Sequence, residues 1–166
     1  MSLRRSSLAG LGAVVALGLG AVTVGADPFG TASNPERIDV ITRATAINDF
    51  VDVGPAGLSP GDIYVFIDNV YLAKAPSQKV GEALGRCNVI DPDAAAPRLG
   101  CSIRTTLGTD DSITTDGTLI NVPGTTSAGA ITGGTGRFRN ARGEAVLDLG
   151  PPEGPHKVTF RVILQP

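Results

Sequence analysis

From about position 36 onward, β-branched and aromatic residues come in short runs separated by clusters of Gly, Pro, Asp and Ser. Runs of this kind read as strands, and the clusters between them as turns. The first run is Arg37 to Val51, broken by Gly54-Pro55-Ala56-Gly57-Leu58-Ser59-Pro60-Gly61. Asp62 to Lys74 follows, apolar on both alternating faces, as in a strand covered at least partly on each side. Ala75-Pro76-Ser77 turns the chain into Val80 to Ile90, where Gly81 and Gly85 mark bends. Leu99 to Leu107, Ser112 to Val122, Ser127 to Thr132, Arg142 to Leu149 and Lys157 to Leu164 complete the series.

That makes about eight strands with short links and no amphipathic helix of useful length. The spacing predicts an all-β sandwich or a closed barrel. Closure would remove the exposed edges of such a sheet. An eight-stranded antiparallel barrel also has room for one small ligand in its mouth.

The start of the chain follows a different pattern. Arg4 and Arg5 precede an uncharged, mostly apolar run from Leu8 to Val24, and Val24-Gly25-Ala26 supplies small or β-branched residues at a cleavage-like end. This is the layout of a secretory signal peptide. The expected organisation is therefore a signal over 1–26, a loose leader over 27–35 and a β-barrel domain over 36–166. The protein is expected to be secreted or otherwise extracytoplasmic, with no stable membrane insertion after cleavage. In an oxidising compartment the two cysteines, Cys87 and Cys101, are expected to form a disulfide. They fall on consecutive strands either side of one connection.

Composition narrows the function. Hydrophobic residues make up 42% of the chain and charged residues 18%, with a formal charge of −2. The basic residues are scattered, which leaves no electrostatic footprint for nucleic acid. One His and two Cys cannot make a common four-ligand zinc site, so no metal is expected. No zinc-protease, nucleophile-elbow or phosphate-loop signature occurs. His156, beside Pro155, reads as a solvated turn residue, and Asp110-Asp111 as turn residues capping their own backbone. The glycines of Gly133-Gly134-Thr135-Gly136 read as a conformational device supplying positive φ in a tight connection.

Several segments together resemble a known superfamily. Gly61-Asp62, Phe66, Tyr71, Val80-Gly81, Gly85 and Cys87-Asn88-Val89-Ile90 resemble the allene oxide cyclase barrel. Gly133-Gly134-Thr135-Gly136-Arg137-Phe138, followed by Ala141-Arg142-Gly143, is similar to the matching segment of dirigent proteins. The likeness spans roughly residues 37–165 and looks most like secreted bacterial members. It implies an eight-stranded antiparallel barrel that works without a cofactor, binds a small apolar molecule and forms a homotrimer. It further implies that the barrel confines a reactive metabolite and steers its cyclisation, isomerisation or coupling. A non-catalytic carrier of an apolar ligand and a structural envelope protein are the alternatives.

Residue by residue, Asn48 matches a cyclase asparagine that helps hold a water. Asp68 falls on another position of that cluster and on an acid of the dirigent proteins. Arg142 matches the arginine of the dirigent Ala-Arg-Gly segment. Ala46 stands where the cyclases carry a glutamate. The resemblance thus implies Asp68, Arg142 and Asn48 as catalytic candidates, with Cys87 at a position that lines the cavity. Tyr64, Phe66 and Tyr71 are ligand-binding candidates, although core packing accounts for such tyrosines equally well. A buried carboxylate needs a partner, and Arg142 is the candidate for Asp68. Because the Asp68 strand is apolar on both faces, alternation assigns that side chain to neither.

Overall fold

The structure is a computed structural model that describes residues 35–93, 95–151 and 154–165. The expected signal over 1–26 and nearly all of the leader over 27–35 lie outside the described residues. The strands are β1 (Glu36–Val51), β2 (Ile63–Leu72), β3 (Ala75–Asp91), β4 (Arg98–Thr106), β5 (Ser112–Ile120), β6 (Thr126–Thr135), β7 (Ala141–Asp148) and β8 (His156–Leu164). A 3-10 turn over Gly136–Phe138 separates β6 from β7. Each strand pairs antiparallel with the next, and β1 pairs with β8, so the sheet closes on itself. Of the two expected architectures, the barrel is the one formed.

Alternation of inward and outward side chains makes the wall. On β4, Leu99, Cys101 and Thr105 are buried while Arg98, Ser102 and Arg104 are exposed. On β8, Phe160 and Val162 are buried while Lys157 and Arg161 are exposed. A period of two sends successive side chains to opposite faces, so each strand contributes one apolar row to the inside.

One end of the barrel is closed. Val40, Val70, Ile113, Ile131, Phe138, Ala141, Phe160 and Val162 form a cluster in which each residue is almost fully buried. The 3-10 turn swings Phe138 underneath as a floor. Arg137, next to it, donates to Glu36 at 3.0 Å, and its backbone N–H donates to the Asp111 carboxylate at 3.0 Å. Asp111 therefore does cap backbone, but that of the neighbouring connection rather than its own turn.

Two expectations at the strand ends need correction. The β2–β3 turn falls on Ala73-Lys74, and Ala75 already pairs with Leu72. Residues 76–78 bulge out between the Leu72–Ala75 and Tyr71–Lys79 pairs, so Pro76 removes no ladder bond and β3 starts earlier than its turn chemistry suggests. In Gly133-Gly134-Thr135-Gly136, only Gly136 has positive φ, at 59°. Gly133 and Gly134 belong to β6, paired with Thr114 and Ile113. Gly134 is needed for room, because a Cβ there would collide with the carbonyls of Ser112 and Phe138.

Candidate functional site

The opposite end of the barrel opens onto a cavity of about 470 Å³. That lies within the range of small-molecule sites. Small residues make the room. Gly117 and Gly129 face each other across β5 and β6, and Ala83, Ala145, Thr105 and Thr115 line the deeper wall. Larger apolar groups, including Tyr64, Phe66, Leu99, Leu119, Leu147 and Val158, line the rest. Phe50 packs against Tyr64 at the rim in a tilted arrangement, with ring centroids 4.8 Å apart.

The polar part is concentrated on three adjacent strands. Asp68 of β2, Thr42 of β1 and His156 of β8 all line the cavity. Register explains the row. Thr42 pairs with His156 across β1 and β8, and Asp68 pairs with Ala44 across β1 and β2, two positions along β1 on the same face. Asp68 is only 7% exposed and has no ion-pair partner among the described residues. Burial pushes its carboxyl above the ordinary carboxylate range, while hydrogen bonding to Thr42 and the nearby His156 pull it partly back. Desolvation dominates because the charged form has lost its water without gaining a Lys or Arg partner among the described residues. Asp116 also borders the cavity, but its carboxylate accepts a bond from exposed Thr132 at 2.7 Å.

His156 is held in a defined way. The backbone N–H of Gly150 donates to its Nδ1 at 3.0 Å. With Nδ1 acting as an acceptor, the neutral ring carries its proton on Nε2. Beside Pro155, the sequence places this residue in a solvated turn. It is instead the first residue of β8, and counting back by twos from buried Phe160 through Val158 puts it on the inner face. That periodicity is the signal in the sequence that could have found it.

The other candidates divide between the two faces. Tyr64 and Phe66 line the cavity. Asn48 lies at its mouth, exposed, where β1 carries extra residues between the Ala44–Asp68 and Asn48–Phe66 pairs. The Thr45 hydroxyl donates to the Ile67 carbonyl and stabilises that bulge. Cys87 and Cys101 form a disulfide between directly opposed positions, and both line the cavity.

Tyr71 and Arg142 do not reach the cavity. Tyr71 is odd-numbered on a strand whose even residues point inward, and its ring lies 4.7 Å from the Arg43 guanidinium on the outer face. Arg142 follows buried Ala141 and so points out, where its guanidinium donates to the carbonyls of Thr132 at 2.9 Å and Ala141 at 2.7 Å. The expected Asp68–Arg142 pair is therefore not formed. The two residues stand on opposite faces of the wall.

No family model matches this sequence, and no curated protein matches it. Solved structures do match in fold. A pyocyanin demethylase is 22% identical, with a TM-score of 0.64 over 76% of this chain and 99% of its own. The pterocarpan synthase dirigent protein PsPTS1 is 19% identical, with a TM-score of 0.61 over 82% of this chain and 99% of its own. The Diels-Alderase AbmU from Streptomyces koyangensis is 13% identical, with a TM-score of 0.59 over 80% of this chain and 70% of its own. At these identities the likeness shows the fold alone: a closed barrel of the kind found in a dirigent protein and a Diels-Alderase.

Proposed function

We propose that the barrel binds a small, mostly apolar molecule in its blind cavity and steers a cyclisation, isomerisation or coupling of it by confinement. The observation that carries this reading is the cavity itself, about 470 Å³, mostly apolar-walled, closed at one end and carrying a polar row of Thr42, Asp68 and His156 on one side. A mostly apolar enclosure of that kind selects one conformer of a reactive molecule and limits its contact with water. Asp68 is the group suited to polarise an oxygen of the guest, since it is a buried carboxyl with no ion-pair partner among the described residues, in the row that lines the cavity. That a dirigent protein and a Diels-Alderase share the barrel supports a steering role. The open interior argues against a purely structural barrel filled by its own side chains.

An extracytoplasmic setting is part of the proposal and is supported by the Cys87–Cys101 disulfide. So is self-association as a homotrimer. Ile63, Val65 and Ile67 alternate with the cavity-lining residues of β2 and present an apolar outer stripe that a second copy would cover.

The test is mass spectrometry of small molecules released on denaturing the purified protein, followed by incubation of the native protein with whatever is recovered. An apolar guest that is converted by the unmutated chain, and bound but not converted by Asp68→Asn, supports the proposal. Recovery of an unchanged guest makes the barrel a carrier. Arg142→Ala and Tyr71→Ala should alter neither binding nor turnover, because both side chains lie on the outer face. Absence of any guest, with no stabilisation by a panel of apolar phenols, enones and quinones, overturns the reading.

A further inference from the structure

The Thr42–Asp68–His156 row holds two titratable groups, Asp68 and His156, and among the described residues no Lys or Arg lines the cavity. Nδ1 of His156 is engaged by the Gly150 N–H, so the neutral ring presents Nε2–H as its remaining polar group, and Nε2 has no partner among the described residues. Across the Thr42 position, the Asp68 carboxyl is buried with no ion-pair partner. A ring whose Nδ1 is already accepting a bond does not serve as a general base through Nε2. It serves as a donor.

We infer that Asp68 and His156 form a two-donor clamp for one carbonyl oxygen, so that the guest is an apolar molecule bearing a ketone, enone or quinone group at one end. This rests on the confinement reading and specifies its ligand. The apolar body occupies the space bounded by Phe66, Leu99, Leu119 and Val158, and the oxygen meets the Thr42–Asp68–His156 row. In the clamp the Asp68 carboxyl holds its proton and donates its O–H to the oxygen, since an ionised one would repel it; burial without a Lys or Arg beside it raises the cost of the charged form. Two donors on one carbonyl draw electron density from the conjugated carbons, which lowers the barrier to ring closure or addition there.

The probes are 2-methyl-1,4-naphthoquinone and its oxygen-free counterpart 2-methylnaphthalene. The two cysteines of the chain are joined in the disulfide, which leaves no free thiol to trap the quinone. Binding of each is measured by titration, and the carbonyl stretch of the bound quinone by infrared difference spectroscopy. We expect the stretch to move to lower frequency on binding. Asp68→Ala should weaken quinone binding about tenfold, the loss that follows when a buried carbonyl goes unsatisfied. Binding of the hydrocarbon should not weaken.

Two substitutions separate the clamp from a structural role for the imidazole. His156→Gln places a donor near the Nε2 position and abandons the Nδ1 acceptor; His156→Asn keeps an acceptor for Gly150 and abandons the Nε2 donor. The clamp requires Gln to retain the frequency shift and Asn to lose it. The reverse order overturns the clamp and leaves His156 as a support for the β7–β8 loop. Equal binding of both probes with no shift overturns the clamp alone. Failure of both probes to bind overturns the confinement reading beneath it.

Discussion

The tip of the Phe66 ring occupies the space that a side chain at Gly85 would fill. The two residues are directly paired across β2 and β3, and a Cβ on Gly85 would collide with the end of the ring. An aromatic residue laid over a cross-strand glycine covers backbone that would otherwise be bare. It also sets the width of the cavity, which Phe66 lines. In Gly85→Ala the flexible partner must give way, and the ring swings inward. We expect a loss of about 1–3 kcal/mol from overpacking and a larger loss of ligand binding than of folding. Phe66→Leu in the same chain should restore both in part. Unchanged denaturation and binding in Gly85→Ala would contradict this.

The disulfide lies in the same wall. Its cysteines are 14 residues apart and already opposed in the β3–β4 ladder. Its main effect is then on the unfolded chain, where a loop of this length is worth roughly 3 kcal/mol. Reduction should lower the urea midpoint accordingly while leaving the far-ultraviolet circular dichroism of the barrel intact. An unchanged midpoint would mean that the disulfide adds no stability. Loss of the strand signal would show that the bond is needed for the ladder itself.

Asp68 predicts a pH dependence of stability. Burial raises its pKa in the folded chain, against an ordinary value of about 3.9 in the unfolded one. Below that pH both states hold the proton and burial costs nothing electrostatic. As pH rises from the unfolded value to the folded one, the folded state keeps a proton that the unfolded state releases, so stability is progressively lost. Above the folded value the loss is constant. Asp39 and Asp91 run the other way: bonds chiefly from Arg37 and Arg98, respectively, lower their pKa values, and their contribution fades in acid. Subtracting the unmutated protein from Asp68→Asn isolates the Asp68 effect. The variant should gain stability relative to the parent as pH climbs above about 4, read from denaturation midpoints. Parallel curves would mean that the carboxyl is not desolvated.

Much of the architecture is legible in alternation and turn chemistry, because a β-strand in a closed wall has one face to bury and writes that face at every second position. The same rule locates errors at the site. β2 is apolar on both faces, so parity does not say whether Asp68 or Tyr71 points inward. The structure decides it through the pairing of Asp68 with Ala44 and Ala83, which puts Asp68 inside and leaves odd-numbered Tyr71 outside. Arg142 escapes the sequence for a different reason. A motif likeness carries residue identity but not the direction a side chain takes, and buried Ala141 and Ala145 claim the inner face of β7. His156 is hidden because Pro155 outweighs the periodicity of Val158 and Phe160.

Asp62 supports the mouth, a role that its place in the sequence does not announce. It is fully buried at the foot of the loop between β1 and β2. Its carboxylate accepts backbone N–H bonds from Val53 at 2.8 Å, Gly54 at 3.3 Å and Ser59 at 2.6 Å. These bonds, that from Val53 foremost, hold its pKa below the usual range. They also place Leu58 of the loop against the cluster formed by Cys87, Val89, Leu99 and Cys101. Asp62→Ala should therefore release the loop without opening the barrel. Hydrogen exchange should quicken at Val53, Gly54 and Ser59 while the amides of β4 and β5 keep their protection. The contribution is present above the unfolded carboxylate value of about 3.9 and is lost as pH falls through the lower folded one. Acid should thus loosen the loop of the unmutated protein and leave that of Asp62→Ala unaffected. Exchange at the three amides that is the same in both proteins at neutral pH would show that something other than this carboxylate holds the loop.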